Sequence, residues 1–179
     1  MSVLQKKYNS EIIDRLKERH DIKNTFLVPK LQKVIVHMGI AEITKDKSAI
    51  QACEKELTLI TGQRPIKTLA KVSISNFKLR EGQVLGLKTT LRGKRMYDFV
   101  YKFCNIVCPR MRDFRGFNKK GDGQGNYNLG IDDHQVFPEL NLDDVKRAQG
   151  MHITFVTTTK NEEVSLDLLT ELGIPFKKS

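Results

Sequence analysis

The sequence lacks the features that would place it outside the class of globular proteins. No apolar run approaches the roughly 18 residues that span a bilayer. Residues 1–19 are charged and include acids, unlike a secretory signal or an organelle transit peptide. There is no internal repeat and no low-complexity tract. The sequence therefore predicts neither a membrane protein nor a disordered chain.

Cysteine is scarce, with three residues and no Cys-x-x-Cys pair. An odd count argues against a disulfide framework. Cys104 and Cys108 are four residues apart and could share a ligand on a helix, but no histidine pair lies near them in the sequence. We therefore interpret Cys53, Cys104 and Cys108 as small apolar packing residues in a reducing cytosol.

Acidic residues are nearly absent from one part of the chain. The window from Arg64 to Lys120 has 15 Lys and Arg against three acids, a net charge of +12, whereas the remainder has 16 basic and 18 acidic residues, a net charge of −2. Solubility does not require this polarisation, and it indicates a polyanionic partner. The alternative is a basic face that is merely solvated.

The residues that are present suit one folded domain. The chain has 179 residues, of which 39% are hydrophobic and 29% charged, enough for one sizeable core and without an obvious linker. The order of predicted elements is helix, strand, helix, two strands, helix, strand, helix. This order predicts a single α+β domain over residues 1–179, with a mainly antiparallel sheet, helices on one face and a polar face left free.

Hydrophobic periodicity predicts four helices. They cover residues 2–19, residues 46–61 (capped by Asp46 and ended by Gly62), the stretch that begins after Gly93 and is stopped by Pro109, and a closing segment that Asn161 caps. Their predicted buried stripes are Leu4, Tyr8, Ile12 and Leu16; Ile50, Cys53, Leu57 and Ile60; Met96, Phe99, Val100, Phe103 and Val107; and Val164, Leu168 and Leu172.

Strands are predicted at Leu31–Met38, Pro65–Val72, Val84–Leu91 and Met151–Thr158. Alternation assigns Val34, Val36 and Met38 to the core, which leaves Lys33 and His37 on the opposite face. In the third strand the core set is Leu85, Leu87, Thr89 and Leu91, and the opposite set includes Lys88, Thr90 and Arg92. The polar sides of these two strands are the candidate binding face.

Two long connections carry much of the basic charge. Residues 73–83 predict a basic hairpin loop, mobile unless a partner orders it. An irregular arm at about 109–135 is basic as far as Lys120 and contains Phe114 and Phe117, and the glycines that follow make the next segment flexible. These glycines follow no predicted strand and lack a Gly-Lys-Ser/Thr ending, which disfavours a nucleotide-binding loop.

A short acidic stretch raises the question of catalysis. Asp132, Asp133 and His134 could hold a metal or act as acid and base, but without a second ligand cluster we interpret them as surface turn residues. Residues 137–139 and 141–146 predict a short turn or helix.

Four blocks occur in order along the chain. They are LTLITGQRPIKTLAKVS at 57–73, TLRGKRMY at 90–97, PRMRDFRG at 109–116 and GNYNLGIDDHQVFPE at 125–139. Together with Val28-Pro29 and Pro175-Phe176 they run over essentially the whole chain in one register. The sequence thus resembles the large-ribosomal-subunit protein five family of the bacterial type, the proteins that bind 5S rRNA in the central protuberance.

The resemblance implies a non-enzymatic, cytoplasmic, ribosome-associated RNA-binding protein with no cofactor, no metal and no membrane partner. Family members hold 5S rRNA against the open face of the sheet. The matching positions here are Lys33, His37, Gln63, Lys67, Lys88, Thr90 and Arg92. Lysine and arginine neutralise phosphates, whereas the Gln63 amide and the Thr90 hydroxyl can bond to 2′-hydroxyls or base edges.

The resemblance implies further partners. The loop at 71–84 resembles the hairpin that contacts the elbow of the peptidyl-site tRNA, through Lys71, Ser73, Lys78 and Arg80. The arm at 109–116, with Arg110, Arg112 and Arg115, and the region 132–143 resemble surfaces that face a small-subunit bridge protein. Large-subunit rRNA and neighbouring ribosomal proteins complete the implied set.

Two positions depart from the family pattern. The family usually has Asn where His37 stands, and Ser75-Asn76 replaces the usual Ala-Gly before Phe77-Lys78. Because asparagine tolerates a left-handed backbone, we expect Asn76 to preserve the turn.

Two other classes of function compete with this one. One is a metal-dependent enzyme acting on nucleic acid, built from Asp113 or from Asp132, Asp133 and His134, although acids are scarce in the basic window. The other is a DNA- or single-strand-binding module with exposed aromatics for stacking. The aromatics at 97–103 lie within one predicted helix, where two belong to the buried stripe, and this disfavours the second class.

Overall fold

Five strands form one sheet in a computed structural model that describes residues 2–41, 46–141, 145 and 147–177. The strands are β1 (Leu31–Gly39), β2 (Ile66–Leu69), β3 (Val84–Leu91), β4 (Tyr127–Ile131) and β5 (Met151–Thr157). Their order in the sheet is β2-β3-β1-β5-β4, and β2 pairs with β3 antiparallel.

The α-helical segments are α1 (Val3–Lys7), α2 (Ile13–His20), α3 (Lys47–Thr61), α4 (Gly93–Lys102), α5 (Cys108–Arg110) and α6 (Glu162–Glu171). π-Helical turns at Tyr8–Ile12 and Phe103–Val107 join α1 to α2 and α4 to α5. Strands and helices together confirm the predicted α+β class. None of the helices in these ranges is both long and apolar enough to cross a membrane.

The chain divides into two units. The first comprises Met1–Val34, Leu91–Leu129 and Thr154–Ser179, and the second comprises Ile35–Thr90 and Gly130–Ile153. Each unit has its own buried residues, among them Phe103 and Phe155 in the first and Leu57, Ile60 and Leu87 in the second.

The amino-terminal helix buries its predicted stripe. Leu4, Tyr8, Ile12 and Leu16 are all buried. A four-residue repeat drifts about 40° per step around an α-helix of 3.6 residues per turn. The π-helical turn at Tyr8–Ile12 takes up an extra residue and keeps the stripe on one side. The Tyr8 hydroxyl donates a hydrogen bond to the Pro29 carbonyl oxygen over 2.8 Å, and burial raises the pKa of Tyr8 to about 12.

The central helix buries all five residues of its predicted stripe, and Phe103 stacks on Phe99 at a ring distance of 6.3 Å. The prediction that Pro109 ends this helix is wrong. Helical structure continues to Arg110, and Met111 is the first extended residue, with ψ 133°. Pro109 is followed by one further helical residue, so the helix ends just past the proline.

Helix α3 begins and ends as predicted. Asp46 Oδ1 accepts hydrogen bonds from the Ser48 and Ala49 amides, and Gly62 ends the helix with φ 65°. All four residues of its predicted stripe are buried. The three cysteines are free thiols, as expected, and burial raises the pKa of each.

Strand β4 was missed, because the segment was expected to be flexible. Tyr127, Leu129 and Ile131 alternate with exposed residues, which is a strand pattern, but the many glycines and asparagines around it obscure the signal. Gly125, with φ 81°, packs so closely on the Thr159 carbonyl that no side chain fits there.

Three other boundaries differ from prediction. Strand β2 is four residues long rather than eight. Asn161 caps α6 as predicted by accepting from the Glu163 amide, but the buried residues are Ser165, Leu168, Leu169 and Leu172, and Val164 is only half-buried. A turn follows Phe137, whereas the helix or turn expected at 141–146 lies largely outside the described residues.

Candidate nucleic-acid interface

The open face of the second unit is built from alternate residues of neighbouring strands. On β3, Leu87 and Thr89 are buried, whereas Lys88 is exposed and Thr90 half-buried. On β1, Met38 is buried and His37 is half-buried. The period of two thus places Lys88, Thr90 and His37 away from the core, as the sequence predicts.

A glycine makes the centre of this face shallow. Gly86 lies on β3 two residues before Lys88, and a methyl group added there would stand 2.7 Å from His37 Nε2 and 2.9 Å from the Met38 carbonyl oxygen. Thr68 Oγ1 of β2 would be 3.0 Å away. The position therefore accepts no side chain, and the His37 ring lies close against the β3 backbone.

Gln63 is tied to the carboxyl end of β3. It follows Gly62, and its side-chain amide donates a hydrogen bond to the Thr90 carbonyl oxygen over 3.3 Å. Thr61 braces the turn, because its hydroxyl lies 2.7 Å from the Leu57 carbonyl oxygen and 2.9 Å from that of Gln63. The local fold thus holds two predicted contact residues, Gln63 and Thr90, next to each other.

Lys67 is not brought to the same face. In the β2–β3 register Lys67 stands opposite Leu87, which is completely buried, whereas Ile66 stands opposite Lys88. Cross-strand partners share a face, so Lys67 points to the side that α3 covers. There its Nζ lies 3.2 Å from Glu54 Oε2, and Arg64 Nε lies 2.9 Å from Glu54 Oε1. Hydrogen bonding from Arg64, and less strongly from Lys67, lowers the pKa of Glu54.

The two remaining residues of the predicted face belong to the first unit. Lys33 is half-buried on β1, with the same parity as His37. Arg92 is exposed and extended (φ −141°, ψ 160°), directly before Gly93, which begins α4 with φ 57°.

The basic loop forms a hydrogen-bonded hairpin of its own. Ile74 and Leu79 exchange two backbone hydrogen bonds of 3.1 Å, and the Glu81 amide donates to Ser73 Oγ over 2.9 Å. Lys71, Ser73, Lys78 and Arg80 are all exposed. The left-handed residue of the tip is Lys78, with φ 52°, and not Asn76 as expected. The turn closes through the Lys78 amide, which donates to the Ser75 carbonyl oxygen over 2.9 Å.

The arm at 109–116 is exposed but anchored. Arg110, Arg112 and Arg115 face solvent. Phe117 fixes the end of the arm: its amide donates to the Pro175 carbonyl oxygen over 2.9 Å, and its ring stacks on Phe103 at 5.9 Å. The aromatic residues of this arm therefore pack inward and leave the guanidinium groups outside.

The expectation that His134 is a surface turn residue is wrong. His134 is completely buried, with Nε2 3.2 Å from Glu56 Oε2 and Nδ1 accepting from the Gln149 amide over 3.1 Å. Neighbouring Asp133 caps the short 3₁₀ turn at His134–Val136 by accepting from the Gln135 amide. Across the part of the chain that the structure describes, no three His, Cys, Asp or Glu residues lie together as a metal site.

Sequence reasoning missed one polar residue of the open face. His152 of β5 is exposed between buried Met151 and Ile153, and after burial it is one of two neighbours that lower the pKa of His37. The alternation of β5 was visible in the sequence, but it does not show which strand lies next to β5.

Comparison with known proteins covers nearly the whole chain. A family model described as ribosomal protein L5 matches residues 24–80, and a second model, described as the C-terminus of that ribosomal protein family, matches residues 84–176. A protein of Protochlamydia amoebophila named large ribosomal subunit protein uL5 is 59% identical over 177 residues, which cover 99% of this chain and 96% of that protein. Proteins of the same name from Chlamydia felis and Chlamydia pneumoniae are each 54% identical over 179 residues, covering 100% of this chain and 99% of theirs.

Proposed function

The chain belongs to the ribosomal protein L5 family, a structural and non-enzymatic component of the large ribosomal subunit, and we propose that it binds 5S rRNA and attaches it in the central protuberance. Its place of action is the cytoplasmic ribosome. The RNA lies against the open face of the second unit.

The observation that carries this proposal is the cluster at the carboxyl end of β3. Lys88 is exposed and free to meet a phosphate, whereas Gln63 is held against Thr90 by a 3.3 Å hydrogen bond. A cation next to two prearranged polar groups suits folded RNA, because the cation supplies affinity and the polar groups read 2′-hydroxyls or base edges. Lys33 and Arg92 are separate candidates for phosphate contacts.

This proposal gives Lys67 no direct contact with the RNA. Its ammonium is shared with Glu54, so a phosphate would have to compete with a carboxylate 3.2 Å away. We assign the direct contact to Lys88 and not to Lys67, whose side chain lies on the other face of β2.

The hairpin at 71–84 and the arm at 109–116 are proposed to serve other partners. The hairpin exposes Lys71, Lys78 and Arg80 and is proposed to contact the peptidyl-site tRNA, with Ser73 holding the hairpin closed through Glu81. The arm exposes three arginines and is proposed to face large-subunit rRNA and a small-subunit bridge protein, together with the region 132–143, part of which lies outside the described residues.

Binding of a 5S rRNA transcript, measured against an unrelated hairpin RNA of equal length, tests the proposal. We expect a clear preference for 5S rRNA, and chemical footprinting should show one protected region that disappears in Lys88→Ala/Thr90→Ala. Equal affinity for both RNAs, or an unchanged footprint with the double variant, would remove the assignment of this face. The geometry does not support the alternative function of a metal-dependent enzyme, because the His134 side chain is enclosed between Glu56 and Gln149.

A further inference from the structure

Two histidines occupy the open face of the second unit. His37 lies on β1 and His152 on β5, which are neighbours in the sheet. Met38, Met151 and Ile153, the adjacent residues in the two strands, are buried. The alternation of both strands therefore directs both imidazoles away from the core.

A glycine lies beside each histidine. The sheet order places β3 next to β1 and β4 next to β5. A methyl group added to Gly86 of β3 would stand 2.7 Å from His37 Nε2, and one added to Gly130 of β4 would stand 3.7 Å from His152 Nδ1. Because glycine has no side chain, the two imidazole rings protrude from an otherwise shallow strip of the face. This strip crosses β3, β1, β5 and β4.

The groups that face His37 are cationic or neutral. Burial lowers the pKa of His37, and the neighbouring His152 of β5 and Lys88 of β3 lower it further. The strip therefore contains several ionisable nitrogen groups. Strands β1, β3 and β5 place no carboxylate beside them.

The remaining strands add no counter-charge to the strip. Strand β2 contributes Thr68, and its Lys67 is paired with Glu54 on the other face. On β4 the acid closest in sequence to Gly130 is Asp132, one residue beyond the end of the strand. This strip of nitrogen groups therefore suits an anionic ligand from outside the protein.

We propose that His37 and His152 together bind one phosphodiester group of the RNA, and that each imidazole takes up a proton from solvent as the complex forms. This inference rests on the proposed function. Each ring forms one new N–H bond with the proton that it takes from solvent, and the protonated ring donates an N–H···O hydrogen bond to a phosphate oxygen. No covalent bond of the RNA is formed or broken. Without RNA, two protonated rings beside Lys88 would repel each other. With a phosphate between them, the same charges are stabilised.

Linkage sets the direction of the pH dependence. The complex holds more protons than the separate partners, so affinity rises as the pH falls through the range in which histidine titrates. We expect the wild-type protein to bind a 5S rRNA transcript about tenfold more tightly at about pH 6 than at about pH 8, at constant salt.

The variant His37→Asn/His152→Asn should bind with less than about a twofold difference between the same two pH values. Asparagine is the residue that the family usually has at position 37, so the fold should accept it, and thermal unfolding checks this. The matched control is His20→Asn, which removes a histidine paired with Asp167 at 2.9 Å in the first unit and should leave the pH dependence intact. An equal pH dependence in the wild type and the double variant would overturn the proposal.

His152→Lys separates proton uptake from a purely structural role. A lysine is charged at both pH values, so this variant should bind at about pH 8 more tightly than the wild type and lose part of its pH dependence. If it instead kept the wild-type dependence, His152 would not be a proton-linked contact. If neither the wild type nor any variant bound 5S rRNA at either pH, the proposed function itself would be refuted. This outcome differs from binding whose pH dependence does not change in the histidine variants, which would refute only the role of the two histidines.

Discussion

The side-chain amide of Gln63 donates a hydrogen bond to the main-chain carbonyl oxygen of Thr90 over 3.3 Å. This bond connects the turn after α3 to the carboxyl end of β3, 27 residues later. It gives Gln63 two roles: it is a candidate RNA contact, and it also positions the neighbouring candidate.

Gln63→Ala should weaken 5S rRNA binding by about 1 kcal/mol or more, because both the contact and the positioning bond are lost. The domain should remain folded, since Gln63 is only half-buried. Filter binding and thermal unfolding measure the two effects. Gln51→Ala, at an exposed glutamine of α3, is the control and should bind as the wild type does. Wild-type affinity in Gln63→Ala would remove this residue from the interface.

Lys88→Ala should lower the salt dependence of 5S rRNA binding. Each phosphate contact releases condensed counterions, so loss of one contact should reduce the slope of log K against log salt by about 1. Binding isotherms over a series of salt concentrations give the slope. Lys55→Ala removes an exposed lysine of α3, the helix that packs on the other side of β2, and should leave the slope unchanged. Identical slopes for Lys88→Ala and the wild type would show that Lys88 meets no phosphate.

His134→Ala should destabilise the protein by about 2–4 kcal/mol, because it leaves the Glu56 carboxylate and the Gln149 amide without their buried partner and opens a cavity. Urea unfolding measures the loss. His20→Ala, at a partly exposed histidine paired with Asp167, should cost clearly less. A similar small effect for both variants would mean that the buried arrangement around His134 contributes little.

Tyr8→Phe should lower the free energy of unfolding by about 1 kcal/mol, since the Pro29 carbonyl oxygen loses its buried hydrogen bond. The effect is measured by urea unfolding and should leave RNA affinity unchanged, because Tyr8 is buried and its hydroxyl is bonded within the protein. Tyr101→Phe, at an exposed position of α4, provides the comparison and should be close to neutral. Equal stability of Tyr8→Phe and the wild type would contradict the structural role of this hydroxyl.

Glu54→Gln should destabilise the protein more at neutral pH than in acid. The pKa of Glu54 lies below its ordinary value of 4.5 in the folded state, so its ion pairs stabilise the fold above that pH and are lost as the pH falls through the folded-state pKa. The size is no more than about 1 kcal/mol, since Arg64 is largely exposed. Urea unfolding at about pH 7 and about pH 3.5 should show a larger difference from the wild type at the higher pH. A difference of equal size at both would mean that the ion pairs do not carry it.

Much of the candidate face follows from local pattern. The alternation of Val34, Val36 and Met38 with Lys33 and His37 is a property of the strand itself, and so is that of Leu87 and Thr89 with Lys88 and Thr90. The caps of α3 are equally local, because Asp46 bonds to amides two and three residues away and Gly62 supplies the left-handed residue. These predictions are confirmed. They could be made from the sequence because each depends only on residues close together in the chain.

Other features required partners that are far apart in sequence. Lys67 lies in a strand of only four residues, and its face is settled by the pairing with Leu87 and by Glu54 of α3. His134 looks like a turn residue in the sequence, but Glu56, 78 residues earlier, encloses it. The short strand β4 was hidden by its glycines and asparagines, although its alternation was present.

The sequence by itself determined the family, the α+β class, the placement of most helices and strands, and the concentration of positive charge between Arg64 and Lys120, because motifs, periodicity and charge are all properties of the chain in order. Only the tertiary structure decided which of those charges are shared with acids and which are open. It also decided that His152 lies beside His37. The order of the strands in the sheet brings together residues more than one hundred positions apart, and no local sequence pattern predicts which strands become neighbours.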